Sequence, residues 1–264
     1  RKKQSSVLLL KIIIEIFILS IIQGITEFLP ISSSSHLILA SKYFNFDNQS
    51  LSLDVSLHIG SFIAVIFYFK KNIFNFLKNK ELFFKIIISS IPVMIVGYTL
   101  VKLNLIEQIR NVKIIGWTTL VFGILLYFSD KFSTAKMIKN NFNYKSALYI
   151  GFFQILSLIP GVSRSGITIT AGRFLGFKRE ESVKISFLLS IPTLAAVSIF
   201  GIINLSSSDN LNISLLNILS IFLFFIFSLI TIKYFLKYIK NFSLNIFVIY
   251  RVILGIIILI LAYL

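Results

Sequence analysis

Apolar residues run along this chain in long blocks separated by short polar ones. Uninterrupted apolar blocks lie near 53–69, 82–101, 114–129, 183–203, 213–232 and 244–264, each close to the roughly 17–25 residues that cross a bilayer. They predict six spans, all helical, because lipid offers the backbone no hydrogen-bonding partner. Two further apolar stretches, 7–44 and 146–177, are broken in the middle by "LPISSSSH" and "IPGVSRSG". Each break opens on a proline and continues into serines. Non-helical backbone at membrane depth is tolerated only where protein buries it or it lines a wet cavity, so the two breaks predict a site.

The breaks also resemble each other. Setting Pro30 on Pro160, an offset of 130, brings Ser33 onto Ser163 and Ser35 onto Ser165; at an offset of 132, "HIGSFIAV" falls on "SIPTLAAV". Half the chain separates them. The expectation is a single polytopic domain over 1–264 made of two repeats, about 1–130 and 131–264, each a re-entrant helical hairpin followed by three spans. An odd number of crossings per repeat inverts the second relative to the first. The fold class is thus an all-α integral membrane protein with six transmembrane helices and two re-entrant hairpins in inverted-topology repeats.

Composition agrees: 56% of the residues are hydrophobic, 28 are Phe, and the mean hydropathy is +0.91, far outside the soluble range. The net charge of +16 is carried by short lysine clusters between the apolar blocks, a pattern that faces anionic lipid and gives no reason to expect nucleic acid. In the alternating topology, loops 70–85, 130–145, 178–179 and 233–240, with five, four, two and three Lys or Arg, share one side. Loops 45–52 and 204–214, with none, and 102–113, with three, share the other. The first side is therefore cytoplasmic; the basic N-terminal "RKK" then lies outside, against the trend. Lys11 and Glu15 interrupt the first apolar run and no small-residue cleavage site follows, so this segment is expected to be retained. With no cysteine present, chemistry falls to oxygen and nitrogen side chains.

The candidate residues cluster at the breaks. A helix that restarts after a break leaves orphan N–H groups, and serines add donors and caps; this suits an anion. Arg164 lies too deep to snorkel, and an unpaired guanidinium there costs about 3 kcal/mol or more, so it calls for a phosphate or carboxylate, or for Glu27 as a structural partner. Gln23 stands one helical turn before Glu27, on the same face. His36 lies three residues after Ser33, within reach of its hydroxyl in a helical turn. At least one of Ser32–Ser35 is expected to serve only as hinge and cap. Weaker candidates are Asp54 and His58, spaced as helix neighbours and read mainly as a cap and an anchor. Lys11 and Glu15 are expected to neutralise each other, Arg173, Lys178 and Arg179 to set topology, and Arg251 is a second intramembrane cation whose partner the sequence does not name.

Three stretches, "QGITEFLPISSSSH", "PGVSRSGITIT" and "SFLLSIP", in this order and spacing, resemble the undecaprenyl-diphosphatases of the bacitracin-resistance type along the whole chain. The resemblance implies hydrolysis of undecaprenyl diphosphate to undecaprenyl phosphate, recycling the carrier for peptidoglycan synthesis. The family's acidic motif falls on Gln23 and Glu27, its serine-rich stretch on Ser32, Ser33 and Ser34, its histidine on His36, and its serine and arginine on Ser163 and Arg164. Many members carry Glu where Gln23 stands, which weakens any two-carboxylate metal site. The resemblance also implies a bacterial cytoplasmic membrane location with the site toward the extracytoplasmic side, an assembly often dimeric, and a divalent cation, Mg²⁺ or Ca²⁺, at Glu27.

The reading on these residues gives Ser33 as nucleophile, His36 as general base and later acid, and Glu27 as orienter or metal ligand. His36 itself as nucleophile is the rival. Arg164, with Ser163, Ser165 and the amides up to Gly166, is expected to hold the diphosphate. Inverted repeats with broken helices are also the plan of secondary transporters and lipid flippases, which need no nucleophile.

Overall fold

The computed structural model describes residues 2–44, 51–71, 73, 80–132, 135–207 and 215–264. The described chain is helical, in the order α1 (Lys2–Thr26), α2 (Ser33–Phe44), α3 (Leu51–Tyr68), α4 (Lys80–Lys102), α5 (Leu105–Ile109), α6 (Val112–Lys131), α7 (Ile138–Asn141), α8 (Tyr144–Ile155), α9 (Arg164–Phe174), α10 (Arg179–Ser207), α11 (Leu215–Asn241) and α12 (Asn245–Tyr263), with one 3₁₀ turn at Leu156–Leu158. Five helices, α4, α6, α10, α11 and α12, are long and apolar enough to cross a membrane, and α3 adds a shorter apolar run over Val55–Tyr68. These are the six apolar blocks of the sequence. Large apolar side chains such as Ile95, Phe152, Ile199 and Ile253 face outward, as a lipid-facing surface requires.

The two broken stretches do break. α1 stops at Thr26 and α2 starts at Ser33; α8 stops at Ile155 and α9 starts at Arg164. The α8 and α9 helices have 12 and 11 residues, roughly half of what a crossing needs. α1, with 25 residues, is long enough to cross, so the two broken elements differ in the length of their first arm.

Helix pairings come in matched sets: α6 packs on α12 and α3 on α10, while α1 on α11 is mirrored by α8 on α4, and α3 on α11 by α10 on α4. Small residues allow the close approaches, as expected where lipid supplies no hydrophobic drive between helices. At Gly151 a Cβ would collide with the Ser89 carbonyl of α4.

The lysine-bearing helix ends are tied together at one end of the bundle. Buried Asp130 pairs with Arg173 at 3.3 Å and Arg179 at 2.7 Å and accepts the Leu244 amide at 3.2 Å. Arg173 also donates to the carbonyls of Asp130, Phe132 and Phe177. Arg173 thus does more than set topology: it closes a junction between four segments. Lys11 and Glu15 pair at 3.7 Å.

Candidate functional site

Both helices that follow a break begin after a residue in the left-handed region. Ser32 and Ser163 each have a φ of 71°, a conformation that costs a non-glycine residue about 1–3 kcal/mol. Local hydroxyl bonds hold them there. Ser163 Oγ accepts the Gly166 amide at 3.2 Å and lies 3.2 Å from Ser165 Oγ; Ser32 Oγ lies 3.1 Å from Ser34 Oγ and accepts from Ser35 Oγ at 3.0 Å. The equivalent residues are therefore Ser32 and Ser163, 131 positions apart, and Ser33 corresponds to Arg164. The expected pairing of Ser33 with Ser163 is off by one, because Pro30 precedes its strained residue by two positions and Pro160 by three.

The breaks bind each other. Ser165 Oγ donates to the Leu29 carbonyl at 2.8 Å, and the Gly161 amide donates to Ser34 Oγ at 3.1 Å. Helix α6 braces both: Thr118 Oγ1 donates to the Pro160 carbonyl at 2.6 Å, Thr119 Oγ1 to the Gly161 carbonyl at 3.4 Å, and Ser35 Oγ lies 2.9 Å from Thr119 Oγ1. Ser35 is fully buried and is the hinge serine. The Ser165 hydroxyl and the Gly166 amide are likewise engaged within the protein.

Glu27 is the centre. Its Oε1 accepts from Arg164 Nη2 at 2.7 Å, and its Oε2 accepts from Gln23 Nε2 at 3.0 Å and Ser33 Oγ at 3.4 Å. The side chains of Arg164 and Glu27 are 17% and 11% exposed, so the pair is largely desolvated yet open to one side. Gln23 is buried, with its Oε1 lacking a partner among the described residues.

His36 is placed otherwise than expected. Its Nδ1 is 2.7 Å from the Ser32 carbonyl, its Nε2 bonds the Tyr250 hydroxyl, and the two rings stack at 5.5 Å. Both ring nitrogens thus have partners other than Ser33. The hydroxyl of Ser33 turns to Glu27 because Ser33 and Glu27 face each other across the turn, while the imidazole folds back along α2 to the carbonyl four residues earlier. The Ser33 hydroxyl thus faces Glu27 and not His36.

Arg251, fully buried, finds carbonyls as partners: Nε donates to Thr119 at 3.2 Å and Nη2 to Gly161 at 3.0 Å. Glycines make room for it, since a Cβ at Gly166 would stand 2.8 Å from Nη1 and one at Gly123 2.9 Å from its Cβ. Tyr250, Thr118 and Thr119 gave no signal in the sequence beyond standing within apolar helices.

Glu27 and Arg164 line a cavity of about 610 Å³ together with His58, Gln154, Ser157 and Thr193, and with apolar residues that include Tyr98, Val101, Val197 and Phe200. These last belong to the ends of α4 and α10 that lie away from Lys80 and Arg179. The cavity therefore lies toward the end opposite the Asp130 junction. As a resident metal site the residues fit poorly: both Glu27 oxygens have donors, its nearest cation is Arg164, and the described residues contain no group of three His, Cys, Asp or Glu able to hold an ion. Asp54, expected beside His58, lies outside the described side chains.

The family model for the bacitracin resistance protein BacA matches residues 16–257. The undecaprenyl-diphosphatase of Pelagibacter ubique (strain HTCC1062) is 52% identical over 252 residues, 95% of this chain and 98% of its own. That of Jannaschia sp. (strain CCS1) is 36% identical, covering 94% and 98%, and undecaprenyl-diphosphatase 1 of Pseudoalteromonas translucida (strain TAC 125) is 39% identical, covering 92% and 96%. The matched region contains both breaks and every residue of the site, and the chain belongs to the BacA family.

Proposed function

We propose that this chain is an integral membrane phosphatase that hydrolyses undecaprenyl diphosphate to undecaprenyl phosphate and phosphate. The observation that carries the reading is the cluster of Ser33, Glu27 and Arg164, drawn from both breaks, in which Glu27 and Arg164 line a cavity whose outer wall is apolar. The diphosphate enters beside Arg164 and the first-turn amides of α9, while the prenyl chain lies along Tyr98, Val101 and Phe200. Ser33 Oγ attacks the terminal phosphorus as Glu27 Oε2 takes its proton, and the bond to the bridging oxygen breaks, freeing undecaprenyl phosphate. Water then attacks the phosphoserine, Glu27 returns its proton to Ser33 Oγ, and phosphate leaves. Arg164 stays on the phosphoryl oxygens, where charge gathers in the transition state. His36, through the Ser32 carbonyl, holds the turn that aims Ser33.

The cavity lies opposite the lysine-rich end, and the positive-inside rule makes that end cytoplasmic, which supports a site toward the extracytoplasmic side of a bacterial cytoplasmic membrane. Matched helix pairings and matched strained serines support two inverted repeats. A divalent cation enters this reading only as a companion of the diphosphate oxygens, since the protein groups do not fit a resident ion. The homodimer implied by the resemblance is read from mass in detergent.

The test is phosphate release from undecaprenyl diphosphate by purified protein, with and without chelator, against Arg164→Ala. Release by the wild type and its loss in the variant supports the reading. A wild type that binds the lipid and frees no phosphate under any metal condition replaces it with the transporter reading that the inverted repeats allow.

A further inference from the structure

Two polar side chains in the cavity wall take no part in the steps above. Gln154, in the last turn of α8, is 0% exposed, and neither its Oε1 nor its Nε2 has a hydrogen-bond partner among the described residues. His58, midway along α3, has a buried Nδ1 that is likewise unpartnered. Both line the cavity that Glu27 and Arg164 line. Buried amides and imidazoles are normally satisfied within the protein, and leaving one without a partner costs the full desolvation of its polar atoms. Three such atoms among the residues lining one cavity mark a place where a ligand completes the bonding.

The chemistry of that ligand follows from what the rest of the site already does. On the reading above, the terminal phosphate sits between Ser33 and Arg164. The other phosphate, the one that stays on the lipid, must then lie elsewhere in the same cavity, short of the apolar residues that take the chain. Serine hydroxyls and amides at the breaks are mostly engaged with each other, so the unused donors there are few.

We propose that His58 and Gln154 form the second phosphate subsite, donating from the imidazole N–H and the amide Nε2 to the oxygens of the lipid-linked phosphate. Two neutral donors suit this position: they stabilise the leaving phosphate without adding a second cation beside Arg164. The subsite lets the cavity hold both phosphates of a diphosphate at once, whereas orthophosphate takes the Arg164 position alone. This inference rests on the phosphatase reading for the naming of the two phosphates.

The experiment uses the full chain in detergent, wild type and His58→Leu, Gln154→Met and His58→Gln, with inorganic diphosphate and orthophosphate as competing inhibitors. His58→Leu and Gln154→Met are each expected to raise the inhibition constant of diphosphate about tenfold or more, the loss of a hydrogen bond to a charged group, and to leave that of orthophosphate within about twofold. KM for the lipid diphosphate rises with it. His58→Gln, which keeps a donor, restores most of the affinity. Because Gln154 has no partner to lose, Gln154→Met keeps the wild-type melting temperature and separates binding from folding. Diphosphate inhibition unchanged in folded Gln154→Met and His58→Leu overturns the subsite while leaving the phosphatase intact. So does a loss that His58→Gln fails to rescue, or one that weakens both inhibitors alike. A wild type that releases no phosphate but still prefers diphosphate through these residues overturns the phosphatase and keeps the subsite.

Discussion

At the scale of single residues, the account turns on Glu27, which three side chains approach from two parts of the chain. Glu27→Gln keeps the shape but accepts no proton, and phosphate release is expected to fall by about 10²–10⁴, the range of general-base losses. His36→Ala is expected to lower turnover by about 10² by releasing the Ser32 carbonyl and shifting Ser33, since a misplacement near 1 Å costs that much. Arg251→Met removes the guanidinium bonds to the Thr119 and Gly161 carbonyls at a fully buried position. It is expected to cost about 2 kcal/mol or more, read as a lower melting temperature. Glu27 and Arg164 were legible in the sequence because charge in an apolar stretch has few bland explanations. The partners of Arg251 were not, because they are backbone carbonyls, which every residue carries. His36 was found but mispaired: spacing places a side chain on a helix face, and does not decide which of two acceptors within reach it takes.

At the scale of the element, each break is a strained serine followed by a helix. The sequence showed that α1–α2 and α8–α9 were interrupted, since proline and serine runs have local signatures. Their register was visible only to within one residue, because a single extra position after Pro160 moves the strain from the second residue after proline to the third without changing the composition. The strain itself gives a test. Ser163→Val puts a β-branched residue at a φ of 71° and removes the cap on Gly166, and a loss of about 2 kcal/mol or more is expected. Ser163→Gly removes the cap but relieves the strain, and stability near wild type is expected in thermal unfolding. If the two variants unfold at the same temperature, the positive φ at Ser163 is not what the break depends on.

At the scale of the whole molecule, the chain separates a charged junction from an open cavity. Asp130, Arg173, Arg179 and the lysine-bearing helix ends gather at one end, and Tyr98, Val101 and Phe200 mark the other. The five membrane-length helices, the shorter apolar run of α3 and the charged end were readable from block length and lysine placement. The cavity was not, since it is walled by ordinary apolar residues of α4 and α10. Because the chain has no cysteine, single substitutions can report the sidedness. In intact cells stripped of their outer layers, Val101→Cys is expected to react with a membrane-impermeant maleimide, and Lys237→Cys only after the membrane is opened. The reverse pattern places the cavity on the cytoplasmic side.

The most direct measurement is single-turnover phosphate release from undecaprenyl diphosphate by the purified wild type, Ser33→Ala and Glu27→Gln, each verified as folded by its melting temperature. Rapid release by the wild type and a loss of about 10² or more in both variants are expected. Release by folded Ser33→Ala at the wild-type rate would contradict the account, because it would remove the nucleophile that the two breaks are built to hold.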